Sequence, residues 1–355
     1  MKKAILGTTA LVAVGAFVAA PASAAEKIKL GVGGYMQSTY YYLNTDDDGA
    51  VDRISDKITQ EGEVFFTGST TLDNGIKFGV NVQLEAYTNG DQIDETYVWV
   101  EGAFGRVLLG SEDSAAYLMH YTSPSPVPMY SADSANIYPA GYNNTTRPNM
   151  FADTDKVTYF TPRFAGFQLG ASYVPDGTAE TGSGGASPYV APLPKGSRDR
   201  GWSAAANYVN KFGGVDVAVS AAYQSADIDG SSDDHVEYAF GTSVGFAGFT
   251  IGAGYGKDND IAGVDGNDSK AWSAGLTYGM GPWSVGVQYS KTEFETGGVD
   301  TDGEIWLVGG QYTLGPGITA FGGVQFTDND TIAASTATAV AGDSTAFFVG
   351  TALSF

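Results

Sequence analysis

The sequence contains no cysteine and only two histidines, His120 and His235, among 355 residues. Without thiols there is no disulfide framework, thiolate nucleophile or cysteine metal site. Long apolar runs are nearly as scarce. Beyond the first twenty residues, no stretch approaches the ~18 apolar residues of a membrane-spanning helix. Cations are few: 18 Lys and Arg stand against 40 Asp and Glu, a formal net charge of -22 that repels phosphate backbones and argues against a nucleic-acid partner. No glycine-rich phosphate loop, zinc-binding spacing or nucleophile elbow is present, and both histidines fall in expected loops, so catalysis is not expected.

The one apolar run lies at the N-terminus. Lys2 and Lys3 precede Ala4 to Ala20, Pro21 breaks the run, and Ala22-Ser23-Ala24 supplies the small-x-small pattern of a cleavage site. Residues 1–24 therefore read as a secretory signal peptide, leaving 25–355 as one domain outside the cytoplasm. The mean hydropathy of -0.09 excludes a helical membrane protein. It does not exclude a barrel, whose strands alternate lipid-facing and lumen-facing residues.

Alternation is what the sequence does contain. In residues 76–88 Ile76, Phe78, Val80, Val82, Leu84 and Ala86 share one face, and Lys77, Asn81, Gln83 and Glu85 share the other. The pattern recurs from Phe167, Val215, Phe249, Trp283 and Ile318, each time after a tight glycine-containing turn and each time bracketed by aromatics. Bracketing aromatics six residues apart span about 15 Å of depth on a tilted strand, so some upper aromatics are expected farther along. Short turns alternate with longer polar connections near 44–53, 89–92, 111–153, 174–200, 224–235, 256–269, 291–303 and 327–343. Seven turns and eight connections join sixteen strands. The expected fold is all-β: a sixteen-stranded antiparallel transmembrane barrel with short periplasmic turns and long outer loops. A large soluble all-β protein is the alternative, but it gives no reason for aromatics on the outer face of every strand.

KIKLGVGGYMQSTYYY (27–42), GRVLLG (105–110), DKVTYFTPRFAGFQLGASY (155–173) and the terminal LSF (353–355) resemble, in order and spacing, the Gram-negative general-diffusion porins, particularly those of alphaproteobacteria. The resemblance implies a barrel that is usually trimeric, set in outer-membrane lipid and lipopolysaccharide, with a third loop (about 111–153) folded inward. It also implies a C-terminal aromatic read by the outer-membrane assembly machinery. The second loop of the family often latches a neighbouring subunit; Asn89-Gly90-Asp91-Gln92 is very short, which puts that latch in doubt.

Candidate residues follow from parity and loop length. An inward third loop would bring Glu112, Asp113, Asp133 and Asp153 to the constriction, with Arg147 as its only cation. Glu63, Lys77, Glu85 and Glu101 lie opposite the apolar faces of their strands, as do Glu61 and Glu95, and Arg106 sits at the base of the fifth strand. In the family, wall arginines commonly oppose the loop acids; here early-strand cations are few, so a net acidic, mildly cation-preferring lumen is expected. Phe347, Leu353 and Phe355 share one face of the closing strand, which should pair near Leu30 to Tyr40. The function expected is passive diffusion of small hydrophilic solutes and ions. A solute-specific channel with a slide of Tyr117, Tyr121, Tyr130, Tyr138 and Tyr142 is an alternative, and an outer-membrane adhesin or enzyme another. No cofactor is required. Asp227-Ile228-Asp229-Gly230, with Asp233 following, resembles the start of a Ca²⁺ loop, but the closing glutamate is missing, and solvated acidic loops remain the other reading.

Overall fold

The computed structural model describes residues 27–45, 55–87, 92–128, 130–134, 145–177, 195–329 and 343–355. The expected signal peptide and most of the short second loop lie outside the described residues. Sixteen strands alternate along the chain. The first eight are β1 (Gly31–Thr45), β2 (Asp56–Thr71), β3 (Lys77–Glu85), β4 (Ile93–Gly102), β5 (Gly105–Ser111), β6 (Asp155–Phe160), β7 (Phe167–Val174) and β8 (Arg198–Phe212). The rest are β9 (Val215–Ile228), β10 (His235–Phe246), β11 (Phe249–Asn259), β12 (Asp268–Met280), β13 (Trp283–Thr296), β14 (Val299–Gly315), β15 (Ile318–Asn329) and β16 (Ser344–Ser354). Each pairs antiparallel with its sequence neighbours, and β16 returns to β1, so the sheet is a closed barrel.

Closure is where sequence register matters most. The β1–β16 ladder runs from Tyr35 opposite Ser354 to Thr45 opposite Ser344. At its foot Gly34 and Phe355 exchange two backbone hydrogen bonds, both 3.0 Å. A Cβ on Gly34 would overlap the Glu63 carbonyl oxygen and press on the Phe355 ring at 3.0 Å, so the seam needs glycine there. The chain reverses below β7 and β11 through Phe164-Ala165-Gly166-Phe167 and Phe246-Ala247-Gly248-Phe249, with positive φ at both central residues (48° and 93°; 51° and 89°). This is the two-residue hairpin geometry that matches strand twist.

The two faces of the wall are inverted relative to a soluble domain. Val32, Ile58, Phe167, Leu169, Trp202, Ile251, Val285 and Val349 are exposed on the outside, while Thr39, Thr158, Gln224, Gln288 and Gln325 are fully buried within. Outer aromatics form cross-strand pairs in two tiers. Phe167–Tyr208, Phe249–Tyr278 and Trp283–Tyr312 lie near the short turns, and Tyr173–Trp202, Tyr255–Trp272 and Tyr289–Trp306 lie higher, all with ring centroids 4.4–4.7 Å apart. Rings with one apolar body and one polar tip suit a boundary between hydrocarbon and water.

One connection departs from the expected long-loop pattern. The polar segment 291–303 is largely strand, and β13 and β14 meet at Gly297-Gly298. Its charges alternate along paired strands and join in ion pairs: Lys270–Glu293 at 3.4 Å, Lys291–Asp302 at 2.5 Å and Lys291–Glu304 at 3.2 Å. A polar stretch with period two remains a strand where it rises beyond the apolar belt, and composition alone cannot tell it from a loop.

Deletion of Phe355 removes both seam hydrogen bonds and a lipid-facing ring. The yield of heat-modifiable folded barrel should fall severalfold, while channels that do assemble keep wild-type conductance; normal assembly would leave Phe355 as an ordinary outer aromatic.

Candidate pore constriction

The connection between β5 and β6 folds into the barrel. Its first turn is a short helix, α1 (Ala115–Leu118), capped by the Ser114 hydroxyl, which accepts from the Tyr117 N–H at 3.4 Å. Small and straight-chain residues after a serine cap favour that turn. Pro124, Pro126 and Pro128 then keep the chain extended, because each lacks an N–H and fixes φ. Backbone groups of such a segment have no ladder partner, so they need others. The inner wall supplies them. Ala115 N–H donates to Ser172 (2.8 Å), Ala116 N–H to Ser203 (2.9 Å), Tyr121 N–H to Ser220 (2.9 Å) and Ala132 N–H to Gln288 Oε1 (2.8 Å). The Gln288 amide donates back to the Ser123 hydroxyl at 2.8 Å. Close approach is possible because the wall beneath is small: a Cβ on Gly241 would overlap the Tyr121 carbonyl oxygen.

Apolar contacts hold three further points. Ala116 and Met119 pack with Ala205, Ala222 and Ala239 on β8–β10. Val127, Tyr130 and Ala132 reach across the lumen to Tyr41, Ile305, Leu307, Phe321 and Phe348. On the return, Met150 and Phe151 pack with Val174, Ala226 and Ile228. Among the described residues, the loop's contacts thus run along the inner face from β6 round to β1, and its root lies against β4 at Tyr97 and Glu95.

The candidate residues divide between the loop and the β2–β4 wall. On that wall Glu61, Glu63 and Glu85 bring their carboxylates within 4.8 Å of one another, and Glu63 forms a second such group with Asp94 and Glu95. Tyr35 donates to Glu63 at 2.6 Å. Asp94 was not legible from parity, since it neighbours Glu95 in sequence. An irregularity in the β3–β4 register, between Val82 and Leu84, lets both acids join the group. Lower on the same wall Lys77 meets Glu101 at 3.4 Å, and Arg106 stacks over the Trp99 ring at 4.8 Å.

At the root of the loop Glu112 is buried and accepts from the Asp113 N–H at 3.0 Å. Lys156 donates to the backbone carbonyls of Glu112, Ala152 (2.7 Å) and Thr154 (2.5 Å), and Ser111 bonds the Asp153 carbonyl. Burial, more than any neighbour, raises the Glu112 carboxyl above the usual carboxylate range. Asp113 is raised for the same reason, reinforced by the charges of Asp153 and Glu112. Arg147 lies over the Tyr117 ring at 5.2 Å. His120, between Thr146 and Ser220 at 3.4 Å each, is held neutral by burial and by Arg147, its pKa lowered to about 4.

Asp133 occupies a different position from the rest. It is 3% exposed and accepts from Thr146 N–H (2.7 Å), Thr146 Oγ1 (2.6 Å), Ser273 Oγ (2.9 Å) and Thr122 Oγ1. It ties both arms of the loop to β12 instead of facing the open lumen. Tyr130 is likewise packed in the Tyr41–Phe348 cluster, and Tyr138 and Tyr142 lie outside the described residues. Asp227, Asp229 and Asp233 are not among the described groups that bring three ligand atoms together; Asp227 faces Arg200 at 3.9 Å and Asp233 accepts from Ser232 at 3.0 Å. Phe347, Leu353 and Phe355 are exposed on the outer face of the β16 end. The wall hydroxyls and amides that seat the loop were missed in sequence. Ser172, Ser203, Ser220 and Gln288 sit at inward parity, which reads simply as wet.

A family model described as Gram-negative porin matches residues 7–332. Among curated proteins no sequence match is found. Solved structures are similar in fold. An anion-selective porin from Comamonas acidovorans superposes with a TM-score of 0.66 at 19% identity, covering 93% of this chain and 100% of that one. OmpT of Vibrio cholerae in its trimer form gives 0.63 at 14% identity, with coverage of 93% and 100%. A Rh. blastica porin variant gives 0.57 at 17% identity, with coverage of 92% and 100%.

Replacing Asp133 with alanine leaves three hydroxyls and an N–H without their common acceptor. The loss is about 3 kcal/mol of loop anchoring. Single-channel records of Asp133→Ala should show frequent fast flicker that is absent from the wild type, with the barrel still heat-modifiable; a variant trace as quiet as that of the wild type would mean that Asp133 does not hold the loop.

Proposed function

The chain belongs to the Gram-negative porin family, and from that premise we propose that the channel it forms prefers cations because acids outnumber cations on the β2–β4 wall and the loop root beside it. As a porin it is an outer-membrane β-barrel through which small hydrophilic solutes diffuse passively. The observation that carries the proposal is the joining of two groups of carboxylates into one acidic patch, Glu112 lying beside Glu95 across the β4–β5 ladder. Glu61, Glu63, Glu85, Asp94 and Glu95 stand on the β2–β4 wall, and Glu112, Asp113 and Asp153 stand at the loop root. Three cations stand nearby, Lys156 and Arg147 beside Asp113 at the loop root and Arg106 over Trp99, and the eight carboxylates outnumber them. A ring of carboxylates in a narrow passage concentrates cations and depletes anions. The Comamonas acidovorans protein of similar fold is anion-selective. At that identity the likeness concerns the barrel, and the sign of selectivity belongs to the lumenal side chains.

A homotrimer is part of the same reading. Strands β5, β6 and β7 have only 7, 6 and 8 residues. At about 3.3 Å per residue and a tilt of roughly 40° they span about 15–20 Å, less than the ~25 Å apolar band. Neighbouring subunits packed along this low wall would relieve the mismatch, and OmpT of similar fold has been solved as a trimer.

Reversal potentials in a KCl gradient should have the sign of cation preference. Glu63→Gln combined with Glu95→Gln should lower the cation-to-anion permeability ratio about two- to fivefold, equivalent to removing about 0.5–1 kcal/mol of attraction; anion preference in the wild type would refute the reading. The raised Glu112 and Asp113 carboxyls take up protons while free carboxylates, near pH 4, are still ionised. Cation preference should therefore fall as pH drops from neutral, beginning well above pH 4. In planar bilayers each insertion should close in three equal steps, whereas single steps throughout would contradict the trimer.

A further inference from the structure

His235 opens β10 with its side chain inside the barrel, only 3% exposed, and neither ring nitrogen has a hydrogen-bond partner. A buried imidazole with both nitrogens unused is costly and calls for an explanation. Its surroundings supply one. Glu237 lies two residues on, on the same face, and Asp258 of β11 stands directly opposite Glu237 in the ladder. One nitrogen of His235 and one oxygen from each carboxylate lie within 4.8 Å of one another. Two carboxylates at paired positions repel unless a proton or a cation is shared between them.

We propose that His235, Glu237 and Asp258 form a binding site for a divalent metal ion of the zinc class, on the wall across the lumen from the β2–β4 acids. The donor set selects that class. Ca²⁺ and Mg²⁺ take oxygen ligands, whereas Zn²⁺ and its neighbours accept an imidazole nitrogen together with carboxylate oxygens. Three ligands at zinc bond lengths would sit about 3.4 Å apart in a tetrahedral arrangement, which small rotations of these side chains reach, leaving a fourth position for water. The surroundings resemble those that tune metal sites. The Met150 N–H donates to Glu237 Oε2 at 3.0 Å, Gln224 donates to the same oxygen, and Ser269 donates to Asp258 at 3.1 Å. Met150, Phe151, Val174, Ala226 and Ile228 form the apolar shell beside it. Hydrogen bonds that orient the ligands and a dry flank are what such sites use. Asp258, the least buried of the three, is the side from which an ion enters. Because Glu237 also holds Met150, an ion here would fasten the returning arm of the third loop to the wall.

The test uses the folded barrel isolated in detergent without an affinity tag, stripped with chelator and loaded in excess Ca²⁺ to occupy the oxygen-only acid clusters. One Zn²⁺ per chain should bind regardless of the Ca²⁺. His235→Ala, still heat-modifiable, should weaken that binding by at least about 100-fold, no less than the loss that follows removal of outer-shell partners. Glu237→Gln and Asp258→Asn should each weaken it as well. Cu²⁺ at one equivalent gives a readout that does not depend on a folded His235→Ala. The chain has only two histidines, so in His120→Gln any spin-echo modulation from a remote imidazole nitrogen comes from His235. Its presence there is expected. Its absence, or wild-type zinc affinity in folded His235→Ala, would overturn the proposal.

Discussion

Everything in this protein depends on the pairing of backbone groups around a closed ring. In hydrocarbon an N–H or C=O has no water to turn to, and each one left bare costs several kcal/mol. Sixteen strands with β16 returning to β1 remove every open edge. Once the backbone is satisfied in this way, the side chains are free to be apolar outside and polar inside. That is why Trp202 and Ile251 are exposed while Gln224 and Gln325 are buried. The same closure explains the absence of cysteine: the ring is held by its own ladder, and the oxidising compartment's cross-links are not needed.

The polar interior then does a second task. A loop that enters the lumen carries its own unpaired backbone, and the barrel's inward serines and glutamines provide the partners. Asp133 gathers both arms of the loop onto Ser273, and the glycine at 241 lets the chain lie against the wall. The loop's charges follow from this seating. Its root acids come to lie beside the acids of β2–β4, where they outnumber Lys156, Arg147 and Arg106. Where the family commonly sets wall arginines against the loop acids, carboxylates of the wall here adjoin those of the loop root. That arrangement is the physical basis of the proposed cation preference.

Much of this was legible in residues read two at a time. The six-residue spacing from Phe167 to Tyr173 and from Trp283 to Tyr289 gives the two aromatic tiers directly, because a strand's faces alternate without exception in a regular ladder. Glu61, Glu63 and Glu85 fell on the wet face by the same rule. Asp94 escaped it, since one irregularity in pairing shifts parity locally, and nothing in the residues 92–96 announces that shift. The polar segment 291–303 misled for a related reason: charged residues at alternating positions suit a strand above the membrane as well as a loop.

By itself, then, the sequence determined the architecture: a period of two, glycine turns, outer aromatics and a terminal Phe355 admit a membrane barrel and little else. It could do so because strand periodicity is a local property, set by backbone geometry residue by residue. Which residues meet across the lumen was decided only by the tertiary structure. The Asp133 hub joins positions 122, 133, 146 and 273, and the cluster of His235, Glu237 and Asp258 depends on the register of β10 against β11. Such meetings arise from ring closure and from the path of one loop. They are long-range geometric consequences that no local pattern encodes.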